Sequence, residues 1–221
     1  VRRAIRDRLI VPGTFYSEQQ LAKALAISRT PVREALIELA REGIVEKLPQ
    51  RGFRVRPIPP NELSEVFELR DLLETHVARR LASVATPEHV RALRRILNQQ
   101  SRVDGEPGTF LEFDEEFHLT MARQLGYMRM QDMLLSLRSI MWIAGAAALG
   151  RSNRTGVVLD EHRAILDRIA AHDSAGAAKA VRHHIQNTRA AAAESLGATP
   201  TGHSPMSMSL GAGPQRPRRK P

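Results

Sequence analysis

Hydrophobic positions recur with a helical period along most of the chain and with period two in a single short stretch. Over Ser17–Leu25, Leu21, Ala24 and Leu25 share one side, and Ser17 and Gln20 stand at the spacing of a capping box. After Ala26-Ile27, too short for more than a tight turn, Val32, Leu36 and Leu39 fall at i, i+4 and i+7 and form a second buried stripe. Ser28 or Thr30 can cap this second helix, and Pro31 lies in its first turn, where a missing N–H costs little. Two helices joined this way predict a helix-turn-helix. Gly43 ends the second helix, and Ile44–Leu48 and Phe53–Arg56 follow as extended runs around Pro49-Gln50-Arg51-Gly52. Phe53 and Val55 alternate with Arg54 and Arg56, the pattern of a hairpin with one wet face. This is a wing, with Arg51 at its tip and Gly52 able to take a positive φ.

Stacked prolines at Pro57, Pro59 and Pro60 resist helix and sheet and predict a linker. Beyond it the pattern stays helical. Asn61 is expected to cap a helix reaching about Val84, with Leu63, Phe67, Leu69, Leu73, Val77 and Leu81 on its apolar side. Further helices are expected over about Thr86–Val103, Gly108–Leu125, Met128–Leu149 and Gly156–Ala171, and from Asp173 or Ser174 to about Leu196. Six helices with short connections predict a bundle. The fold class is mainly α: a winged helix-turn-helix over residues 1–58, a helical domain over 59–195, and a tail over 196–221. The tail is rich in Gly, Pro, Ser and Met, has no period and reads as disordered.

Charge sharpens this division. Residues 1–58 carry 12 Lys/Arg against 6 Asp/Glu, net +6, whereas 59–195 carry 17 against 18, net −1. The tail adds 4 Lys/Arg and no acid. A basic first domain on a near-neutral second one is the footprint of a DNA reader attached to something else. Arg29 and Arg33, four apart, share a face near the positive end of the second helix, where free amides and guanidinium groups suit phosphates and the O6/N7 edge of guanine. The chain of 221 residues is 42% hydrophobic but only 4% aromatic, which suits helical packing on aliphatic side chains. No run approaches ~18 apolar residues, and no signal-peptide pattern opens the chain, so no membrane association is expected. Absence of Cys excludes disulfides and thiolate metal sites, and a cytoplasmic protein is the simplest reading.

The second domain also holds a candidate metal set. Asp114 and His118 are four apart, so carboxylate and imidazole point the same way. His162 sits on the fifth bundle helix, and His184 on the sixth, in phase with Ala177, Val181 and Thr188; the 3.6-residue period turns His183 about 100° away. One carboxylate and three imidazoles from three helices can hold a divalent first-row ion with open positions. Buried histidines satisfied by hydrogen bonds are also common, and the residues alone leave both readings open.

Pro12-Gly13, Ser17-Glu18, Leu21-Ala22, Ser28–Leu36 and the run from Gly43 to Arg51-Gly52 resemble the DNA-binding domain of the GntR family of bacterial transcription regulators. The resemblance implies that Arg29 and Arg33 contact bases or nearby phosphates, with Ser28 and Thr30 also at the DNA, and that the wing, with Arg51 and Gly52, enters the minor groove of an operator. The first helix, within Val1–Ile10, is shorter than the family's. Leu69-Arg70, Leu73-Glu74, Phe113-Asp114, Phe117-His118, Glu161-His162, Ile165, Ala177-Ala178 and His184-Ile185 resemble the FCD effector domain of the FadR subgroup. That likeness assigns metal-ligand roles to Asp114, His118, His162 and His184, with Zn, Ni or Mn as the ion, and implies a small carboxylate or sugar acid as effector. Arg70, which breaks the apolar run of its helix, is the first candidate for a carboxylate clamp, and an ion pair with a neighbour such as Asp71 or Glu74 is its structural alternative; Arg138 is the second candidate. The expectation is a ligand-responsive homodimer on a pseudo-palindromic operator. A metalloenzyme or a metal sensor are the other classes that the four ligands allow. No HExxH, phosphate loop or nucleophile elbow supports the enzyme.

Overall fold

The structure is a computed structural model that describes residues 1–6, 10, 12–103, 107–149 and 153–197. Of the tail expected over residues 196–221, residues 196 and 197 belong to the last helix and the rest lies outside the described residues. The N-terminal part comprises α1 (Arg2–Arg6), β1 (Phe15–Tyr16), α2 (Glu18–Ala24), α3 (Arg29–Arg41), β2 (Val45–Leu48) and β3 (Gly52–Val55). Ser17 caps α2 with the full reciprocal capping box to Gln20. Ser28 occupies the cap position of α3 in extended backbone, yet its side chain makes no capping hydrogen bond, and Thr30 lies inside the helix. Val32, Leu36 and Leu39 are buried as one stripe against Leu21, Ala22, Ile44, Phe53 and Val55.

The sheet has one strand more than the alternating pattern predicts. β1 pairs antiparallel with β3 (Phe15 opposite Arg54, Tyr16 opposite Phe53), giving the order β1-β3-β2. Two residues have no readable period, so β1 is silent in the sequence. Its effect is to make β3 the central strand, with the wing hairpin anchored from both sides.

The bundle comprises α4 (Pro60–Ser83), α5 (Pro87–Gln100), α6 (Pro107–Gln124), α7 (Met128–Ser136), α8 (Arg138–Leu149), α9 (Arg154–Ala170) and α10 (Ser174–Gly197). Asn61 is not the cap of α4. The helix starts two residues earlier, at Pro60, with Pro59 in the cap position, because proline's fixed φ suits a first helical turn that has no use for its N–H. The single helix expected over Met128–Leu149 is two, bent by 58° about Leu137. The break turns α8 so that Ala144 and Ala148 join the bundle core while Ile143 enters the core of the N-terminal part. Neither Pro nor Gly marks the bend; it follows from where the two cores sit. No single helix among the described residues is long and apolar enough to cross a membrane, and in the bent α7–α8 pair half of the residues of α8 are buried.

The bundle core runs from Leu63, Phe67, Val77 and Leu81 of α4 through Leu93 and Leu97, Phe117 and Met121, to Ile165, Ile169, Val181 and Ile185. α4 and α10 pack along most of their length, and α5, α6 and α9 close the other side. Arg70 and Glu74 lie on the buried face of α4, one and two turns beyond Phe67, so this core has a charged centre.

Candidate nucleic-acid face and buried histidine cluster

On the N-terminal part, the side chains of Arg29 and Arg33 are 62% and 56% exposed and converge on one carboxylate. Glu18, in the first turn of α2, lies 2.9 Å from Arg33 Nη2 and 3.8 Å from Arg29 Nη2. The Arg33 hydrogen bond, followed by the guanidinium charges, holds the Glu18 carboxyl below its ordinary value. Glu18 was not among the expected site residues; its signal was the position at the start of the helix that packs on α3. With Ser28 making no cap bond, the first-turn amides of α3 are free for an anion.

At the wing, Arg51 and Arg54 both stack over the Phe15 ring, at 5.5 and 5.2 Å. Gly52 has φ +96°, and a Cβ there would stand 2.4 Å from the Tyr16 carbonyl oxygen. β1 approaches so closely that only glycine fits.

In the bundle, one ligand atom from each of Asp114, His118, His162 and His184 lies within 4.8 Å of the others. α6 presents the first two a turn apart, α9 the third and α10 the fourth. The three imidazoles are buried, and Asp114 reaches in from the cavity side, its Oδ1 3.4 Å from His162 Nε2. His183, next to His184, is exposed and bonds Asn187 at 2.9 Å.

Each ring is oriented through its other nitrogen. His162 Nδ1 is 2.9 Å from Gln100 Oε1, and His184 Nδ1 is 2.8 Å from Glu161 Oε2. His118 Nδ1 lies 2.5 Å from Glu74 Oε2, a contact off the line of a good hydrogen bond. The Nε2 atoms of all three are buried without a hydrogen-bond partner among the described residues. Burial, followed by the charges of neighbouring basic groups, holds His162 well below its ordinary value; burial also lowers His184 against the opposing hydrogen bond to Glu161. Both are therefore neutral near pH 7 and offer lone pairs. Burial pushes Glu161 upward, but His184, Asn187 and Arg154 outweigh it and bring the carboxyl to about 2. Glu74 is likewise driven down by Arg70 and His118 in spite of its burial.

Three unpaired acceptor nitrogens facing one another cost free energy that a cation removes, and carboxylate–histidine pairing behind the ligands is the usual support of a metal. The donor set fits a divalent borderline ion. Gln100 was not singled out in the sequence, and Glu74 and Glu161 were quoted there without a role behind the histidines, because a polar residue on a helix reads as solvent-facing until its neighbours are known.

A cavity of about 70 Å³ opens beside the cluster, bounded by Asp114, His118 and three arginines. Arg70 is buried and binds Glu74, Nε to Oε1 at 2.5 Å and Nη2 to Oε2 at 3.4 Å, while Nη1 faces Met141 Sδ at 3.8 Å. The neighbour pairing anticipated as its alternative is thus present, yet the residue still lines the cavity. Arg138 is half exposed, with Nε 3.4 Å from Glu115. The third, Arg154, was missed because it fell in the connection before the expected start of its helix. Buried at the first turn of α9, it holds Glu161 at 3.1 and 3.2 Å and Thr188 at 2.8 Å, and its Nε has no hydrogen-bond partner among the described residues.

A winged helix-turn-helix with an open arginine face, joined to a helical bundle with a charged, hollow centre, defines a DNA-binding transcriptional regulator with an effector domain. Residues 1–55 match the bacterial regulatory proteins of the gntR family, and residues 65–187 match the FCD domain. The chain belongs to the GntR family, with an FCD effector domain. It is 30% identical over 189 residues to the transcriptional repressor RspR of Escherichia coli K12, spanning 84% of this chain and 82% of that one. The gluconate operon repressor of Bacillus subtilis is 33% identical over 143 residues, 64% of this chain and 58% of its own. Among solved structures, E. coli McbR/YncC superposes with a TM-score of 0.60 at 20% identity, covering 87% of this chain and 95% of that one, which shows the shared fold. Members of the family are regulators and not enzymes.

Proposed function

We propose that this regulator is a cytoplasmic homodimer whose operator affinity responds to a small carboxylate or sugar acid bound beside a metal ion. The observation that carries this reading is the trio of buried, unpartnered Nε2 atoms around Asp114, opening on an arginine-lined cavity. Asp114, His118, His162 and His184 would hold the ion, Zn, Ni or Mn. An ion there would supply a Lewis-acidic position for an acid's oxygen, while Arg70 and Arg154 fix the other end of the carboxylate by directed N–H donors. Arg138, at the mouth, would attract the anion. The name of the gluconate operon repressor supports a sugar acid as one class to try.

On the DNA side, Arg29 and Arg33 would read bases or adjacent phosphates at the start of α3. Ser28 and Thr30 would contact the backbone there, and Arg51 with Gly52 would carry the wing into the minor groove.

Elemental analysis of gently purified protein tests the metal. Parent and His183→Ala should carry the ion, and His118→Ala and His184→Ala should lose it together, with the winged part still folded. Equal metal content in all four proteins would remove the assignment. Calorimetry with small organic acids before and after chelation tests the effector. Unchanged affinity in the metal-free protein would leave the arginines as the whole site. Operator affinity that follows the ion and ignores every acid would make the protein a metal sensor.

A further inference from the structure

The cavity beside the histidines is polar where it meets the cluster and largely hydrocarbon elsewhere. Asp114, His118, Arg70 and Arg154 gather at the cluster, belonging to it or joined to it through Glu74 and Glu161. Phe110 and Leu111 of α6, Leu134 of α7, Met141 and Ala148 of α8 and Val158 of α9 make up much of the remaining wall. Its other charged and hydroxyl groups are already engaged, Glu115 with Arg138 and Thr188 with Arg154. Outside the histidines, the one buried lining atom without a hydrogen-bond partner among the described residues is Arg154 Nε. A single N–H serves one carboxylate oxygen, not a row of hydroxyls.

Size points the same way. The cavity, about 70 Å³, is under half of the roughly 150 Å³ that accommodates a benzene ring, and a six-carbon sugar acid has about twice the non-hydrogen atoms of benzene. Gly145 shows how closely that size is set. It lies inside α8, where glycine weakens a helix. A Cβ there would stand 2.7 Å from Leu111 Cδ2, so α6 packs its leucine against bare backbone, and both residues line the cavity. A methyl added at 145 must displace Leu111 at the cavity wall.

We infer that the effector is a short, unhydroxylated aliphatic monocarboxylate of about the size of butyrate, its carboxylate at the arginine end and its alkyl chain against Leu111 and Leu134. The inference rests on the acid-binding reading given above and narrows it, setting the sugar acid aside. A buried hydroxyl on the alkyl part would lose its water partners and gain none, whereas a methylene there leaves water for hydrocarbon.

Calorimetry on the full chain, as purified and after loading with zinc, tests this with acids of graded length and polarity. Affinity should rise about fourfold per methylene from acetate to butyrate and fall again at octanoate, which overfills the space. 3-Hydroxypropanoate, which has a hydroxyl where butyrate has its terminal methyl, should bind about tenfold more weakly than butyrate. Gluconate should give no heat. Gly145→Ala should keep acetate within about twofold and weaken butyrate about tenfold, because Leu111 then takes the room of the alkyl chain. Unaltered butyrate affinity in a folded Gly145→Ala would overturn the place given to that chain; if the variant does not fold, the pair of equal-sized acids in the parent still decides. 3-Hydroxypropanoate or gluconate binding as tightly as butyrate would overturn the alkyl effector while leaving the carboxylate reading standing. If none of these acids binds in either metal state, the acid-binding reading itself falls, and this inference with it.

Discussion

At Arg33 the chain's positive charge is already engaged before DNA arrives. Glu18 holds that guanidinium at 2.9 Å and stays charged because of it. A DNA phosphate or a guanine edge must compete with this carboxylate, which aligns the side chain and reduces its attraction for any phosphate at random. Arg29→Ala and Arg33→Ala should each weaken binding to a mapped operator by ~1–3 kcal/mol if the residue reads a base. Glu18→Gln should act in the opposite sense on non-sequence DNA: tighter binding and a steeper loss with salt. Fluorescence anisotropy on operator and scrambled duplexes separates the cases. Equal loss on both duplexes for the arginine variants would make them phosphate contacts only.

At the scale of elements, the two turns that shape the DNA-reading part make opposite demands. Ala26, between α2 and α3, sits at φ +53° and is exposed, a left-handed conformation that costs an L-residue roughly 1–2 kcal/mol. Ala26→Gly should therefore raise the midpoint of thermal unfolding, offset in part by the greater freedom of glycine in the unfolded chain. Gly52→Ala should lower it, because the added methyl meets the Tyr16 carbonyl in a backbone region that alanine already disfavours. A melt in which both variants match the parent would contradict these geometries.

The same elements show what could be read in advance. Val32, Leu36 and Leu39 announced α3 because a buried stripe has a period, whereas Asp114, His118, His162 and His184 could be grouped by helical phase alone only as one of two open readings, and the FCD likeness assigned their ligand roles. β1 is too short for a period. The bend at Leu137 answers to two separate cores and leaves no local mark. Arg154 lay hidden because an arginine in a connection is ordinarily solvated, and its burial depends on Glu161 and Thr188 from two other stretches.

For the whole molecule, α8 is the element common to both cores. Its Met141 touches Arg70 at the cavity, Trp142 lies under the Arg2 guanidinium of α1 at 5.4 Å, and Ile143 is buried with Val32 and Leu36. A change at the cavity wall thus has a packed route to the helix that reads DNA, with no flexible linker to absorb it. Trp142→Ala should preserve metal content and acid affinity while reducing the effect of the acid on operator binding. An unaltered response would place the coupling elsewhere, in α4 or in the dimer contact.

Under the proposed function, an acid bound beside a metal ion held by Asp114, His118, His162 and His184 governs DNA affinity. Its most direct test is a titration of fluorescent operator with parent protein, metal-loaded and chelated, each with and without a panel of small organic acids. At least one acid should shift the operator dissociation constant of the metal-loaded protein by fivefold or more, on the order of 1 kcal/mol of coupling. The same acid should leave the chelated protein unmoved. A shift of equal size in both forms would contradict the role given to the metal.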